Sequence, residues 1–540
     1  MKLKKVVRYV LIFLFLGTLV LLYLAQQNTI KIYGGKTELV NYNDFRQEQK
    51  SFCIENVFLL SEDGESFIPK QKICIDKGTI VSTDSSFQAP SEWQAIDGSG
   101  KYLIPGLIDS HIHLFKSQND LLLYLANGIT EIREMIGEED HLKWRNEIQA
   151  GRPGPDMFIA SPRLGSFGWL EGWFMEVTQG YNNIRDAKEA EEYVNRYAEL
   201  GYDAVKIYSF LNKEAYEAVN KFAVEKGLKV VGHIPFDLDL EDIWTSNQTE
   251  IAHVEELMNA FRREYGRFES QEEADDFLAF VNRRAKEVSP MLKENKISVT
   301  TTIWLTQSFV RQKFELDKVL KEVELEYENP GISEWDERIP GGLGWLPHIN
   351  RYKMQEGLNE EERAAQKIWW YTYGYACQVI LKSLHEEGVS IIAGTDANLP
   401  PTVPGFSLHD ELKAMQEAGM STAAVLKSAT AIAAQWLGSN TGVLSEGYKA
   451  NLLLLDNNPL LDITHTKSIN TLIINGKVYE RAKLDQILEA VKAANDKSRA
   501  RDISSFISTN QKKLDKMEVD EKRMSLNFLL HLFPLKLEIH

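Results

Sequence analysis

The chain has 540 residues, with 61 basic and 78 acidic side chains and a formal net charge of -17. That length suits one large catalytic domain with appended pieces. The acidic balance, with no Lys/Arg-rich block beyond the first few residues, argues against a nucleic-acid partner. Three cysteines, Cys53, Cys74 and Cys377, lack the close spacing of a zinc cluster or a disulfide framework, although Cys53 and Cys74 fall on neighbouring predicted strands and could pair.

In chain order, Lys2, Lys4, Lys5 and Arg8 precede a charge-free stretch from Tyr9 to Ile30 that is strongly apolar as far as Ala25. About 20 helical residues cross a bilayer, whereas a secretory core needs only about 7 to 15, so residues 1–27 fit an uncleaved transmembrane helix better than a signal segment. With the basic flank retained inside, the remainder is expected on the extracytoplasmic side, periplasmic or extracellular. A polar linker, 28–50, follows. Short strands are then predicted at Cys53 to Leu60, Gln71 to Ile75 and Thr79 to Ser82, and again near the other end at Ala450 to Asp456 and Ile469 to Val478, where Asn475-Gly476 reads as a hairpin turn. Residues 51–103 and 441–483 are therefore expected to form one small β-sandwich.

Between them, 104–440 alternates apolar β-branched runs with charged helical stretches, the pattern of parallel strands covered by crossover helices. The strands read as Tyr102 to Ile108, Ala204 to Tyr208, Lys229 to Val231, Ile297 to Ile303 and Val389 to Ala393. An aromatic-rich insertion at about 309–378, with Trp335, Trp345, Trp369, Trp370, Tyr371, Tyr373 and Tyr375, is expected to cover the mouth of the fold in part or to pack as ordinary core. The tail 484–540 looks helical, then polar, and ends in an apolar run from Leu526 to Leu537.

The chemistry is concentrated at strand ends. In Pro105-Gly106-Leu107-Ile108-Asp109-Ser110-His111-Ile112-His113 an apolar strand ends in two histidines at i and i+2, which share one side and can form an edge of a metal site. Other strands end at Lys206 with Tyr208, at His233, at His253 and at Asp396. Singly, a strand histidine is more often a hydrogen-bonded core residue, and Gly394-Thr395-Asp396 is often a helix cap. Lys206 is harder to dismiss, because an apolar parallel strand would bury its charge uncompensated. Tyr208 shares the side of Lys206 and is either an oxyanion donor or a packed tyrosine. Arg133 is either a carboxylate binder or, the reading favoured here, one half of an ion pair with Glu134 or a neighbouring acid.

These segments, with Asn127 to Arg133, Ala429-Thr430-Ala431 and Gly442 to Pro459, resemble the amidohydrolase superfamily, in particular its imidazolonepropionase-related and Xaa-Pro dipeptidase branch. The resemblance implies a (β/α)8 TIM barrel. It also implies two divalent metal ions, one on His111, His113 and Asp396, the other on His233 and His253, bridged by carboxylated Lys206. Zinc suits the donors, as do iron, cobalt and manganese. Such a pair of cations activates a shared water and polarises a carbonyl, with Asp396 passing the proton to a leaving amine. The expected activity is amide hydrolysis of a peptide or small cyclic or acylated compound. The alternatives are ester, lactone or carbamate hydrolysis on the same site, or a non-catalytic binding protein. Gly165 to Leu170 departs from the Gly-Gly-His-like element of related members, so the dipeptide specificity does not transfer directly.

Overall fold

A computed structural model describes residues 2–334, 344–347, 350 and 352–500. Residues up to Asn495 form one compact unit and those from Asp496 a second. Trp335 and the Leu526 to Leu537 run lie outside the described residues.

Helix α1, Lys2–Ile32, is followed by five strands: β1 (Phe52–Leu60), β2 (Phe67–Asp76), β3 (Thr79–Ser82), β4 (Gln94–Asp97) and β5 (Tyr102–Pro105). Within α1, Leu11–Ile32 is long and apolar enough to cross a membrane, a property that N-terminal signal sequences share. The helix continues into the stretch read as linker. Its last turn is half-buried, and the Lys116 N–H donates to the Tyr33 carbonyl at 2.9 Å.

Eight parallel strands carry the centre of the molecule. They are β6 (Leu107–Ile112), β7 (Ile129–Glu134) and β8 (Asp156–Ile159), then, after the short pair β9 (Leu164–Gly165) and β10 (Asn182–Asn183), β11 (Ala204–Ile207), β12 (Lys229–Gly232), β13 (Gln248–Ile251), β14 (Ser298–Thr300) and β15 (Ile391–Ile392). The orders are β6-β7-β8 and β11-β12-β13-β14-β15. Parallel bridges Ala160↔Ala204 and Ile112↔Ala397 join the two groups at both edges. The result is a TIM-barrel-like α/β fold. Strands this short and apolar are stable only when covered on both faces, and β6, β7 and β11 are buried at every position.

The last strands, β16 (Leu452–Leu455), β17 (Ile469–Ile474) and β18 (Lys477–Glu480), join β1 to β5 in one sheet of order β18-β17-β16-β5-β1-β2-β3, with β4 also on β1. The sheet draws on both ends of the chain and encloses its own core, including Phe52, Ile54, Ile73, Leu103, Leu452 and Leu454. On the opposite face of β1, Cys53 sits across from Cys74 on β2, and the two form a disulfide.

Two of the expected strands differ in the structure. Tyr102 to Ile108 is not one strand but two, because β5 pairs with β16 while β6 enters the parallel set. Gly106 sits at the switch, where a Cβ would meet Thr130 Oγ1 at 2.3 Å. Ile297 to Ile303 is likewise shorter as a strand, since Ile303 already begins the helix Ile303–Glu322. That helix opens the aromatic insertion, and Glu360–Glu386, which carries Trp369 to Tyr375, closes it. Of its aromatics, Trp345 and Tyr373 pack as core, whereas Tyr371 and Tyr375 are exposed.

Candidate metal centre

All six expected ligand residues come from the C-terminal ends of parallel strands, the end at which barrel active sites form. His111 lies on β6 and His113 one residue past its end; Lys206 is on β11, His233 follows β12, His253 follows β13, and Asp396 lies beyond β15. One ligand atom each from His111, His113 and Asp396 lie within 4.8 Å of one another. The His111 ring is 4.4 Å from that of His253 and 5.2 Å from that of His113; His233 and His253 are 5.2 Å apart, all between centroids. Lys206 is 1% exposed and close enough to perturb His111, His253 and Asp396 electrostatically.

The donor set fits metal ions. Nδ1 and Nε2 of His111, Nδ1 of His113, Oδ1 of Asp396 and Nζ of Lys206 are buried without a hydrogen-bond partner among the described residues. Leaving one such group unpaired costs about 1–3 kcal/mol, so a cluster of them calls for a ligand. His113 Nε2 lies 2.7 Å from Asp396 Oδ1, two ligand atoms converging rather than an aligned donor and acceptor. Burial pulls Lys206 down to about 8 and His253 down to about 4, and drives His111 well below the ordinary histidine value. Neutral imidazole is the form that binds metal.

Surrounding groups orient these ligands. His253 Nδ1 is 2.9 Å from Thr302 Oγ1 and His233 Nδ1 is 2.8 Å from Ser209 Oγ, which leaves Nε2 of each ring for the centre. The Asn398 amide donates to the His113 carbonyl at 2.6 Å and to Asp120 at 2.9 Å. Backbone strain collects here: His253, Thr302, Asp396 and Asn398 all have left-handed φ, between 53° and 75°. Such positions cost about 1–3 kcal/mol each and persist where surrounding structure holds them. At Gly232, φ +126°, a Cβ would meet the Ile207 carbonyl at 2.2 Å, so only glycine lets β12 close on β11 and deliver His233.

Residues 376–479 match the Amidohydrolase family. Ochratoxinase of Aspergillus niger is 33% identical over 132 residues, 23% of this chain and 26% of that protein. The bottromycin amidohydrolase structure covers 83% of this chain and 91% of its own at 21% identity, TM-score 0.62. A Xaa-Pro dipeptidase with bound methionine covers 80% and 100% at 18% identity, TM-score 0.56. The chain thus carries a segment that matches the Amidohydrolase family within a fold shared with these solved structures. It matches only about a quarter of the length of its curated amidohydrolase relative, and at these identities the structural likeness concerns the fold alone.

Beside the centre, the two ambiguous residues take definite surroundings. Tyr208 stacks on His233 at 4.3 Å and meets Tyr181 at 5.6 Å, edge to face. Arg133 is fully buried and faces away from solvent: it donates to Glu250 at 2.7 Å, to Thr300 Oγ1 at 2.9 Å and to the Ser110 carbonyl. Its partner is thus a neighbouring acid rather than Glu134, whose carboxylate accepts from the Leu114 and Ile136 N–H groups at 2.6 and 2.8 Å. Sequence reasoning passed over Ser209, Thr302 and Asn398. Thr302 was hidden inside an over-long strand; the Thr300-Thr301-Thr302 run at a strand end was the signal available.

Proposed function

We propose that the chain is a metal-dependent hydrolase of an amide C–N bond in a peptide or small acylated compound, working at the C-terminal mouth of a (β/α)8 barrel spanning 104–440. The β-structure from 51–103 and 441–483 is its companion domain, read as a sandwich. The observation that carries this reading is the convergence of His111, His113, Lys206, His233, His253 and Asp396 at the strand ends, with ligand atoms of His111, His113, Lys206 and Asp396 buried and unpaired among the described residues.

In this reading His111, His113 and Asp396 would hold one divalent cation and His233 and His253 a second, with Lys206, carboxylated on Nζ, as a ligand that both would share. Zinc suits the donors, with iron, cobalt or manganese as alternatives. The cations supply Lewis acidity for the scissile carbonyl and lower the pKa of the attacking water. The remaining work falls to the chain. Asp396 accepts the water proton on its carboxylate and returns it to the leaving nitrogen. Tyr208, seated against His233, donates to the oxygen that gains charge. Thr302 and Ser209 hold the imidazoles in the tautomer that presents Nε2.

The disulfide Cys53–Cys74 supports an oxidising compartment. It accords with α1 as an uncleaved anchor and with the barrel outside the cytoplasm. Metal analysis of the purified chain, followed by a screen of dipeptides and N-acyl amino acids, tests the activity. Asp396→Asn should lower turnover by several orders of magnitude while retaining much of the metal. Near-normal turnover in the metal-loaded variant would remove Asp396 from the chemistry.

A further inference from the structure

The helix Trp169–Gln179 turns its apolar side outward. Trp169 is 79% exposed and Leu170 59%, and Trp173, Phe174 and Val177 continue the same stripe at helical spacing. Its other side is fixed on the protein, since Gly172 is buried and a Cβ there would lie 2.2 Å from Asn183 Nδ2. Elsewhere on the described barrel and sheet the exposed large apolar residues stand singly or in pairs such as Phe314 with Tyr371, whereas a continuous apolar stripe with two tryptophans marks an interaction surface.

The occupant is indicated by what lies alongside. The helix packs beside α1. The end of α1 is fastened to the barrel mouth: Tyr33 meets Phe115 at 4.8 Å, and Phe115 in turn stacks on His113 at 5.7 Å. A chain leaving the bilayer at the end of α1 therefore places the Trp169 helix at the membrane surface. Tryptophan, phenylalanine and leucine are the side chains that settle at that depth.

We propose that the Trp169–Gln179 helix lies in the interface of the membrane crossed by α1, so that the barrel mouth opens toward the bilayer; this rests on the reading of α1 as an anchor. The helix contains no Lys or Arg, and Glu171 and Glu176 are exposed, so apolar burial and not attraction to anionic lipid drives the seating. Phe210 and Phe236, exposed and 5.5 Å apart, extend the apolar surface away from the helix, with the buried Phe167 ring 5.7 Å from Phe210.

The test uses the full chain in phosphatidylcholine vesicles. Cys53 and Cys74 are paired and Cys377 is buried, so cysteines introduced by Leu170→Cys, Phe174→Cys and, as a remote control, Leu461→Cys can be labelled selectively with a fluorophore. Metal content and thermal midpoint check that each variant is folded. Flotation with the vesicles is read first. In floated protein the labels at 170 and 174 should be quenched by spin-labelled lipid about twofold or more beyond the label at 461, be protected from aqueous iodide, and stay so at high salt. Labels at 170 and 174 as open to iodide as the one at 461 would overturn the proposal while leaving the anchor intact. Protection from iodide without quenching by lipid would also overturn it and assign the face to a second copy of the chain. Failure to float would overturn the anchor reading and this proposal together.

Discussion

Substituting Arg133 by Met separates a structural role for this cation from one in substrate binding. The guanidinium is fully buried 2.7 Å from Glu250, bonded also to Thr300 and Ser110, and 4.6 Å from the Trp436 ring. At an effective dielectric of about 20, charges at that separation attract by about 6 kcal/mol, most of which offsets the desolvation of both groups. The pair is therefore worth little net. Its single disruption leaves Glu250 in the strand core with only Thr300 and the Gly232 N–H, 3.1 Å away, as donors. Arg133→Met should thus lose about 3–5 kcal/mol. Glu250→Gln, which keeps an acceptor for Gly232, should also be costly alone. The double substitution should lose less than the two singles combined by about 2 kcal/mol or more. Pulse proteolysis across a urea series reads these midpoints, with bound metal measured alongside. Additive losses would refute the pairing. Native stability in Arg133→Met, with weakened binding only of substrates bearing a carboxylate, would return the residue to the substrate site.

Lys206→Ala should bind less than the full metal complement, with partial rescue by small carboxylates, and reconstitution of the metal-free protein should depend on bicarbonate. A buried ammonium beside two dications is opposed by both desolvation and repulsion, whereas a carbamate supplies an anion with two oxygens. Metal-loaded, active protein with Lys206 as a free amine turned away from the centre would refute this. At the opposite end of the strands, burial and then Asp156 raise Glu131 from 4.5 to about 7. The folded state then holds a proton that the unfolded state has lost, so this contribution is complete below about pH 4.5 and disappears as pH rises through about 7. Glu131→Gln should flatten the fall in stability by up to about 3 kcal/mol between pH 5 and 8. An unchanged pH slope in thermal midpoints would show that Glu131 does not carry it.

Much of the centre was legible in the sequence because its determinants are local. An apolar strand of period two sets His111 and His113 on one side, and a lysine inside such a strand needs a special partner. The basic flank and charge-free run of α1 are likewise properties of neighbours in the chain. Pairings across distance were not legible. Arg133 and Glu250 are 117 residues apart, and only the order of the strands makes them meet. The switch at Gly106 depends on which sheet each half of Tyr102 to Ile112 joins. The spacing of Cys53 and Cys74 allowed a bond; the antiparallel register of β1 and β2 aligned it. The Trp169 helix shows the limit most plainly. Its apolar stripe is written in the sequence, but a stripe that packs in a core and one that faces outward read alike. Burial is a relation to the rest of the chain, so the tertiary structure alone decided that this face is left uncovered.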